Sequence, residues 1–285
     1  MDNYKKFCDI VLNMHIKRMC FMGLNMKADY KNWVPEGILI TMAVISALLL
    51  LFSIGFSILI DGKLGITLSA ITFAAFLISA ATSIKLFRMH QAFSYDGKRK
   101  LSKRIIEGTA AHVILPEGGV GLDVGCGSGA LTIACAKRNP QGKMTGLDRW
   151  GKEYASFSHL LCVQNAKAEG INNVVFQKGD ANKLPFADES FDAVVSNYVY
   201  HNIAGKNKQE LLLETLRVLK KGGTFAIHDL MSKKRYGDMD AFCRKLREMG
   251  YEKVELLDTA DGSFMSPKEA RSYMLTGSKL LFGKK

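Results

Sequence analysis

Between Gly37 and Ile84 the chain offers water almost nothing to solvate. Residues 37–60, GILITMAVISALLLLFSIGFSILI, carry no charged side chain, and after the polar link Asp61-Gly62-Lys63 a second uncharged run extends from Leu64 to Ile84. About 20 such residues suffice to cross the hydrocarbon core of a bilayer, and helices apolar on every face for that length are rare in soluble proteins. The sequence therefore predicts two transmembrane helices within residues 34–88; the alternative is a pair of long core helices. A secretory signal fits poorly, because the first run starts only at Gly37 and is too long.

Basic residues set the expected orientation. Lys5, Lys6, Lys17, Arg18, Lys27 and Lys31 precede the first run, Lys85, Arg88, Lys98, Arg99, Lys100, Lys103 and Arg104 follow the second, and the link holds only Lys63. The positive-inside rule then places both termini, and the soluble part between the second span and the C-terminus, in the cytosol. Residues 1–33 mix basic groups with Phe7, Ile10, Val11, Met14 and Phe21, an amphipathic pattern suited to a helix on the membrane surface or to one packed on the soluble part. The net charge of +12 has the same source, so membrane lipid is expected as a partner and nucleic acid is not. Six cysteines with no C-x-x-C pair predict neither structural disulfides nor a metal site. The sequence does not specify an oligomeric state.

After a basic linker helix expected over residues 89–115, residues 116–285 alternate apolar runs of strand length with amphipathic stretches. Strands are expected at Val120–Val124, Lys143–Leu147, Val174–Gln177, Phe191–Ser196, Thr224–His228, Lys253–Leu257 and Ser272–Ser278. Helices fit at Ala130–Lys137, Lys152–Glu169, Lys206–Leu219 and Asp238–Met249. This pattern is that of an α/β, Rossmann-like sheet of seven strands flanked by helices.

The first strand runs into Asp123-Val124-Gly125-Cys126-Gly127-Ser128-Gly129. Alternate glycines let the backbone pass close beneath a ligand, and the following helix offers unpaired N–H groups to a carboxylate or phosphate. Gly125, Gly127 and Ala130 also satisfy a dinucleotide fingerprint. Asp123 separates the two readings: an acid there would repel a pyrophosphate, but suits a ligand carrying an ammonium and a sulfonium.

Asp123-x-Gly125-x-Gly127-x-Gly129 resembles the first motif of class I S-adenosylmethionine-dependent methyltransferases. Leu184 to Asp192 and Arg217 to Gly223 resemble the segments before the fourth and fifth strands of the UbiE and type 11 group, and the likeness covers about residues 96–285. The resemblance implies S-adenosylmethionine as cofactor, S-adenosylhomocysteine as product and no metal. It implies that Asp148 takes the ribose hydroxyls, with Arg149 and Trp150 along the adenine. Asp180, next to Ala181, would accept from the adenine amino group. Cys126 and Asn197 are expected on the cofactor side as well. Asp148, Asp180 and Trp150 could also be ordinary cap, turn and surface residues.

The acceptor side is expected after the fourth strand, in Asn197-Tyr198-Val199-Tyr200-His201-Asn202, which departs from the N-P-P-Y of enzymes that methylate exocyclic amines and glutamine amides. His201 is the candidate general base or orienting group, with Tyr198 and Tyr200 as pocket walls, while a helix-capping His201 is the alternative. His228 and Asp229, at the end of the fifth strand, are secondary candidates on the same ground. A tethered site favours a small lipophilic acceptor. The competing functions are a membrane-bound cofactor sensor without catalysis, and methylation of a protein or nucleic acid.

Overall fold

The computed structural model describes residues 27–151 and 156–285. Two long helices come first, α1 (Glu36–Leu59) and α2 (Gly62–Phe93), followed by α3 (Leu101–Ala110). The remainder alternates: β1 (Val120–Val124), α4 (Ala130–Arg138), β2 (Lys143–Asp148), α5 (His159–Ala168), β3 (Val174–Lys178), β4 (Phe191–Asn197), a 3-10 turn (Tyr200–Asn202) and α6 (Lys208–Arg217). It closes with β5 (Leu219–Leu230), α7 (Lys233–Tyr236), α8 (Met239–Glu248), β6 (Lys253–Asp258), α9 (Pro267–Ser272) and β7 (Ser278–Lys284).

The strands form one seven-stranded sheet in the order β3-β2-β1-β4-β5-β7-β6, with β7 antiparallel to both neighbours and the other pairs parallel. This is the Rossmann-like methyltransferase sheet that the sequence predicts. Strand order reverses between β1 and β4, so a crevice opens beyond their carboxyl ends, where open α/β sheets hold ligands. Helices cover both faces, and Ala193, Val194 and Val195 of β4 are consequently buried in succession, as a doubly covered parallel strand requires.

Three expectations are corrected. The last strand lies at Ser278–Lys284 and not at 272–278, because Ser266, Pro267 and Glu269 build a capping box that starts α9 there. The helix expected from Lys152 starts at His159, where the Ser158 hydroxyl accepts from the Leu161 N–H at 3.1 Å; residues 152–155 lie outside the described ones. Residues 89–115 divide into the end of α2, a turn and α3. The amphipathic N-terminal segment lies outside the described residues up to position 26.

α1 and α2 pack as a hairpin through small polar side chains. Ser46 and Ser79 share a hydrogen bond of 2.7 Å between hydroxyls, while the Ser53 and Ser69 hydroxyls donate to each other's carbonyls at 3.0 and 2.8 Å. Their outer faces expose large apolar groups such as Ile40, Phe52, Ile58, Ile66 and Ile78. Both helices are long and apolar enough to cross a membrane. α2 continues past Lys85 and Arg88 until Met89, Ala92 and Phe93 are buried against the α/β domain, so the hairpin is rooted in the fold.

Candidate active site

At Gly125 the chain leaves β1 with φ +76°, and a Cβ there would stand 2.4 Å from the Val199 side chain. Glycine is needed on both counts, and the same close approach sets the turn after β4 against the glycine loop. Gly127 has φ +54°; its N–H donates to Asp148 Oδ2 at 2.9 Å, and its carbonyl accepts from Trp150 Nε1 at 3.0 Å and the Cys162 thiol at 3.1 Å. Gly129 caps α4 without a side-chain bond, leaving the positive end of that helix open to an anionic group.

Asp148 and Trp150 thus clasp the loop they are expected to serve. Asp148 Oδ1 also accepts from the Trp150 N–H at 2.7 Å, yet a carboxylate has about four lone-pair sites, which leaves room for two hydroxyls. The indole N–H of Trp150 is engaged, its ring stands edge-on to His159, and what it offers a ligand is a ring face. Cys126 is buried in the loop beside Cys162, and burial pushes its thiol up.

Asp123 is not the exposed charge that the sequence suggests. It is fully buried, its Oδ2 accepts from Thr132 Oγ1 at 2.6 Å, and its Oδ1 has no partner among the described residues. Burial raises its carboxyl to about 7 despite the Thr132 bond. Its carboxyl therefore titrates near neutrality beneath the loop instead of lining the crevice as a fixed anion.

Asp180 is exposed after β3 and accepts at Oδ1 from the Asn182 N–H and side-chain amide, at 2.8 and 2.7 Å. Those bonds, led by the backbone one, lower its carboxyl, with a contribution from the nearby Arg149 charge. Ala181 packs at the rim of the cluster containing Leu147 and Leu184. Asn182 Oδ1, which the sequence did not single out, is buried beside Asp180 without a hydrogen-bond partner among the described residues. The open end of α4, the unpartnered Asn182 oxygen and the spare sites on Asp148 fit a ligand with an amino-acid group, a ribose and a base.

On the acceptor side the candidates separate. His201 sits in the 3-10 turn with Nδ1 2.5 Å from Oδ1 of the buried Asp229, whose other oxygen accepts from the His201 N–H at 3.1 Å. Burial acts to raise the Asp229 carboxyl, but the His201 hydrogen bond and charge outweigh it and hold it low. An ionised Asp229 requires the proton on Nδ1, which leaves the Nε2 lone pair free when the ring is neutral.

Tyr200 is corrected: it is fully buried, with its hydroxyl on Thr215 Oγ1 at 2.5 Å, and belongs to the core. Asn197 places its Oδ1 2.8 Å from His228 Nδ1, and the other ring nitrogen of His228 meets Thr259 Oγ1 at 2.8 Å. Burial lowers His228 to about 3, so it stays neutral and sealed. Tyr198, at φ +55°, bonds Ser278 Oγ at 2.7 Å through its hydroxyl, which burial pushes upward. Its ring lies 6.0 Å from that of His201.

A strap of residues 27–34, leading into α1, crosses this end of the domain and carries residues the sequence did not reveal. Trp33 stands edge-on to Tyr198 at 5.4 Å and meets Phe93 at 5.3 Å. Asn165 accepts from the Asp29 N–H at 2.7 Å and donates to the carbonyls of Asp29 and Ser128 at 3.0 and 2.9 Å, joining strap and glycine loop. These partners are too far apart along the chain for local spacing to signal them.

Residues 116–260, just over half of the chain, match the family described as methyltransferase domain. Demethylmenaquinone methyltransferases of Staphylococcus aureus strains JH9 and Newman are 34% identical over 143 residues, which cover 50% of this chain and 54% of theirs. The chain thus spans about half the length of the curated relatives it matches. Among solved structures, the [4+2]-cyclase SpnF aligns at a TM-score of 0.49 and 20% identity, over 65% of this chain and 81% of that one. An S-adenosylmethionine-dependent methyltransferase from Aquifex aeolicus aligns at 0.45 and 19%, over 66% and 93%. By the family match and the sheet that carries it, the chain belongs to the class I S-adenosylmethionine-dependent methyltransferase domain family.

Proposed function

We propose that this protein transfers the methyl group of S-adenosylmethionine to a small, lipophilic acceptor at a membrane, with the hairpin crossing the bilayer and the catalytic domain on the cytosolic side. The observation that carries the reading is the His201–Asp229 pair, set against the glycine loop at the foot of an apolar hairpin. Only 11% of the most apolar window of each hairpin helix is buried, which favours lipid over a protein core as its surroundings. The relatives' name, demethylmenaquinone methyltransferase, supports a lipophilic acceptor. The basic residues on both flanks support the orientation.

S-adenosylmethionine, when bound, supplies a methyl group on a sulfonium whose sulfur departs neutral. Asp148 and the first turn of α4 would hold its ribose and amino-acid ends, with Asp180, Asn182 and Trp150 near the adenine. Tyr198 and Trp33 wall the acceptor side. His201 Nε2 accepts the proton that the acceptor releases, while Asp229 fixes the ring's tautomer and balances the imidazolium charge. Positioning can contribute ~7 to 11 kcal/mol, and the base a further factor of about 10² to 10⁴.

The test is turnover by full-length His201→Ala across pH, beside its affinity for S-adenosylhomocysteine. Affinity should stay within about two-fold while turnover falls by roughly 10² to 10⁴, the loss shrinking as pH rises and the acceptor ionises unaided. Unchanged turnover of the folded variant would return His201 to a helix-capping role.

A further inference from the structure

Beside the root of the hairpin, α3 with the turn before it and the loop after β6 line an open groove of about 480 Å³ whose lining includes Arg99, Lys100, Lys103 and Arg104, against one acid, Glu107. We propose that this groove binds the phosphate of an anionic phospholipid and so holds the crevice against the bilayer, an inference that rests on the membrane-spanning reading of the hairpin.

Its place in the fold argues for a lipid as the source of that phosphate. The chain leaves α3 towards the start of β1, and Ile114 meets Thr224 early in β5, so the C-terminal end of α3 lies at the amino edge of the sheet. Ten residues of helix rise about 15 Å, the height of these strands, which puts Leu101 at the carboxyl edge. The second wall agrees: β6 is antiparallel to β7, and β7 to β5, so Ser263 and Phe264 follow β6 at that same edge. The hairpin joins there too, the Ser102 hydroxyl donating to the Phe93 carbonyl at 2.6 Å. Phe93 is five residues beyond Arg88, about 8 Å of helix rise, and the headgroup layer of a leaflet is of similar depth.

The four cations are not equivalent. Arg99 is forked onto Glu269, and Arg104 donates to the Ser263 carbonyl at 3.0 Å, so these two build the walls. Lys103 lies 3.6 Å from Glu107 and over the Tyr95 ring, exposed to solvent, and Lys100 has no ion-pair partner among the described residues. A phosphate would add to contacts already formed at the walls and give the two ammonium groups a counter-ion. Lipid thus reaches the groove from the side where the acceptor is expected to enter.

The test uses full-length protein in neutral detergent, mixed with equal amounts of phosphatidylglycerol and phosphatidylcholine, and counts retained lipids by native mass spectrometry. Phosphatidylglycerol should be retained preferentially, and the Lys100→Gln, Lys103→Gln pair should weaken that preference by up to about thirty-fold, roughly five-fold for each charge, leaving the background from Lys63, Lys85 and Arg88. Equal retention of the two lipids, no change in the double variant, or equally tight retention of inorganic phosphate would overturn the proposal. Carbonate washing of membranes separates the premise from the inference. Release of the protein would remove the spanning reading itself, whereas firm retention without lipid preference would remove the groove alone.

Discussion

Asp123 and His228 are buried titratable side chains whose burial tilts stability with pH in opposite directions. Asp123 is raised from 3.8 to about 7, so its contribution is fully present below about pH 4 and is lost as pH rises through 7. At about 1.4 kcal/mol per unit, the penalty above pH 7 approaches 4 kcal/mol as an upper bound. Asp123→Asn should therefore gain melting temperature relative to the parent as pH rises from 4 to 8, and a difference independent of pH would refute this. His228, lowered from 6.5 to about 3, supports the fold above pH 6.5 and ceases to as pH falls towards 3. Tyr200→Phe should cost about 1 kcal/mol through the lost Thr215 bond and leave turnover intact, as a core residue requires. Sequence spacing pointed to Asp148 and His201 because both follow strand ends, where open α/β sheets hold ligands. It did not reveal that Tyr200 is buried on Thr215 of α6 or that Asn197 meets His228 of β5, since the direction a side chain takes there depends on what the neighbouring helix or strand presents.

Asn165 ties the strap and the glycine loop to α5, beside the Tyr30 hydroxyl, which donates to Glu169 just past that helix at 3.0 Å. Asn165 is 2% exposed and its three bonds close the strap on the loop, so Asn165→Ala should cost roughly 1 to 3 kcal/mol and free residues 27–34. Trypsin should then cut faster at Lys27 and Lys31, and affinity for S-adenosylhomocysteine should fall; a cleavage rate equal to the parent's would show that the strap is held elsewhere. Six of the seven strands were readable because their apolar runs are bounded by turn residues, and the central ones, β1 and β4, are buried on both faces. β7 was displaced because Tyr273, Met274 and Leu275 resemble a strand in isolation, while the capping box at Ser266 commits the preceding residues to a helix. The segment Lys220 to Gly223, expected before the fifth strand, lies within β5, where the pairing with β4 shifts register between Phe191 and Ala193.

In the molecule as a whole, the hairpin is more than a leash. Met89, Ala92 and Phe93 are buried against the domain, and Trp33 meets Tyr198, so a chain truncated at Ser94 should melt lower than the full-length protein in detergent. An equal melting temperature would show that the hairpin only tethers. The two long uncharged runs joined by a polar link announced a helical hairpin, but its docking on the domain depends on tertiary contacts that no local pattern encodes. The measurement that bears most directly on the proposed function is the fate of the methyl group. Full-length protein reconstituted into bilayers of membrane lipid extract is given S-adenosylmethionine labelled in that group, and the products are partitioned between organic solvent and water. The account predicts label in a small molecule of the organic phase, at a rate that collapses in His201→Ala; label confined to protein, to nucleic acid or to unreacted cofactor would contradict it.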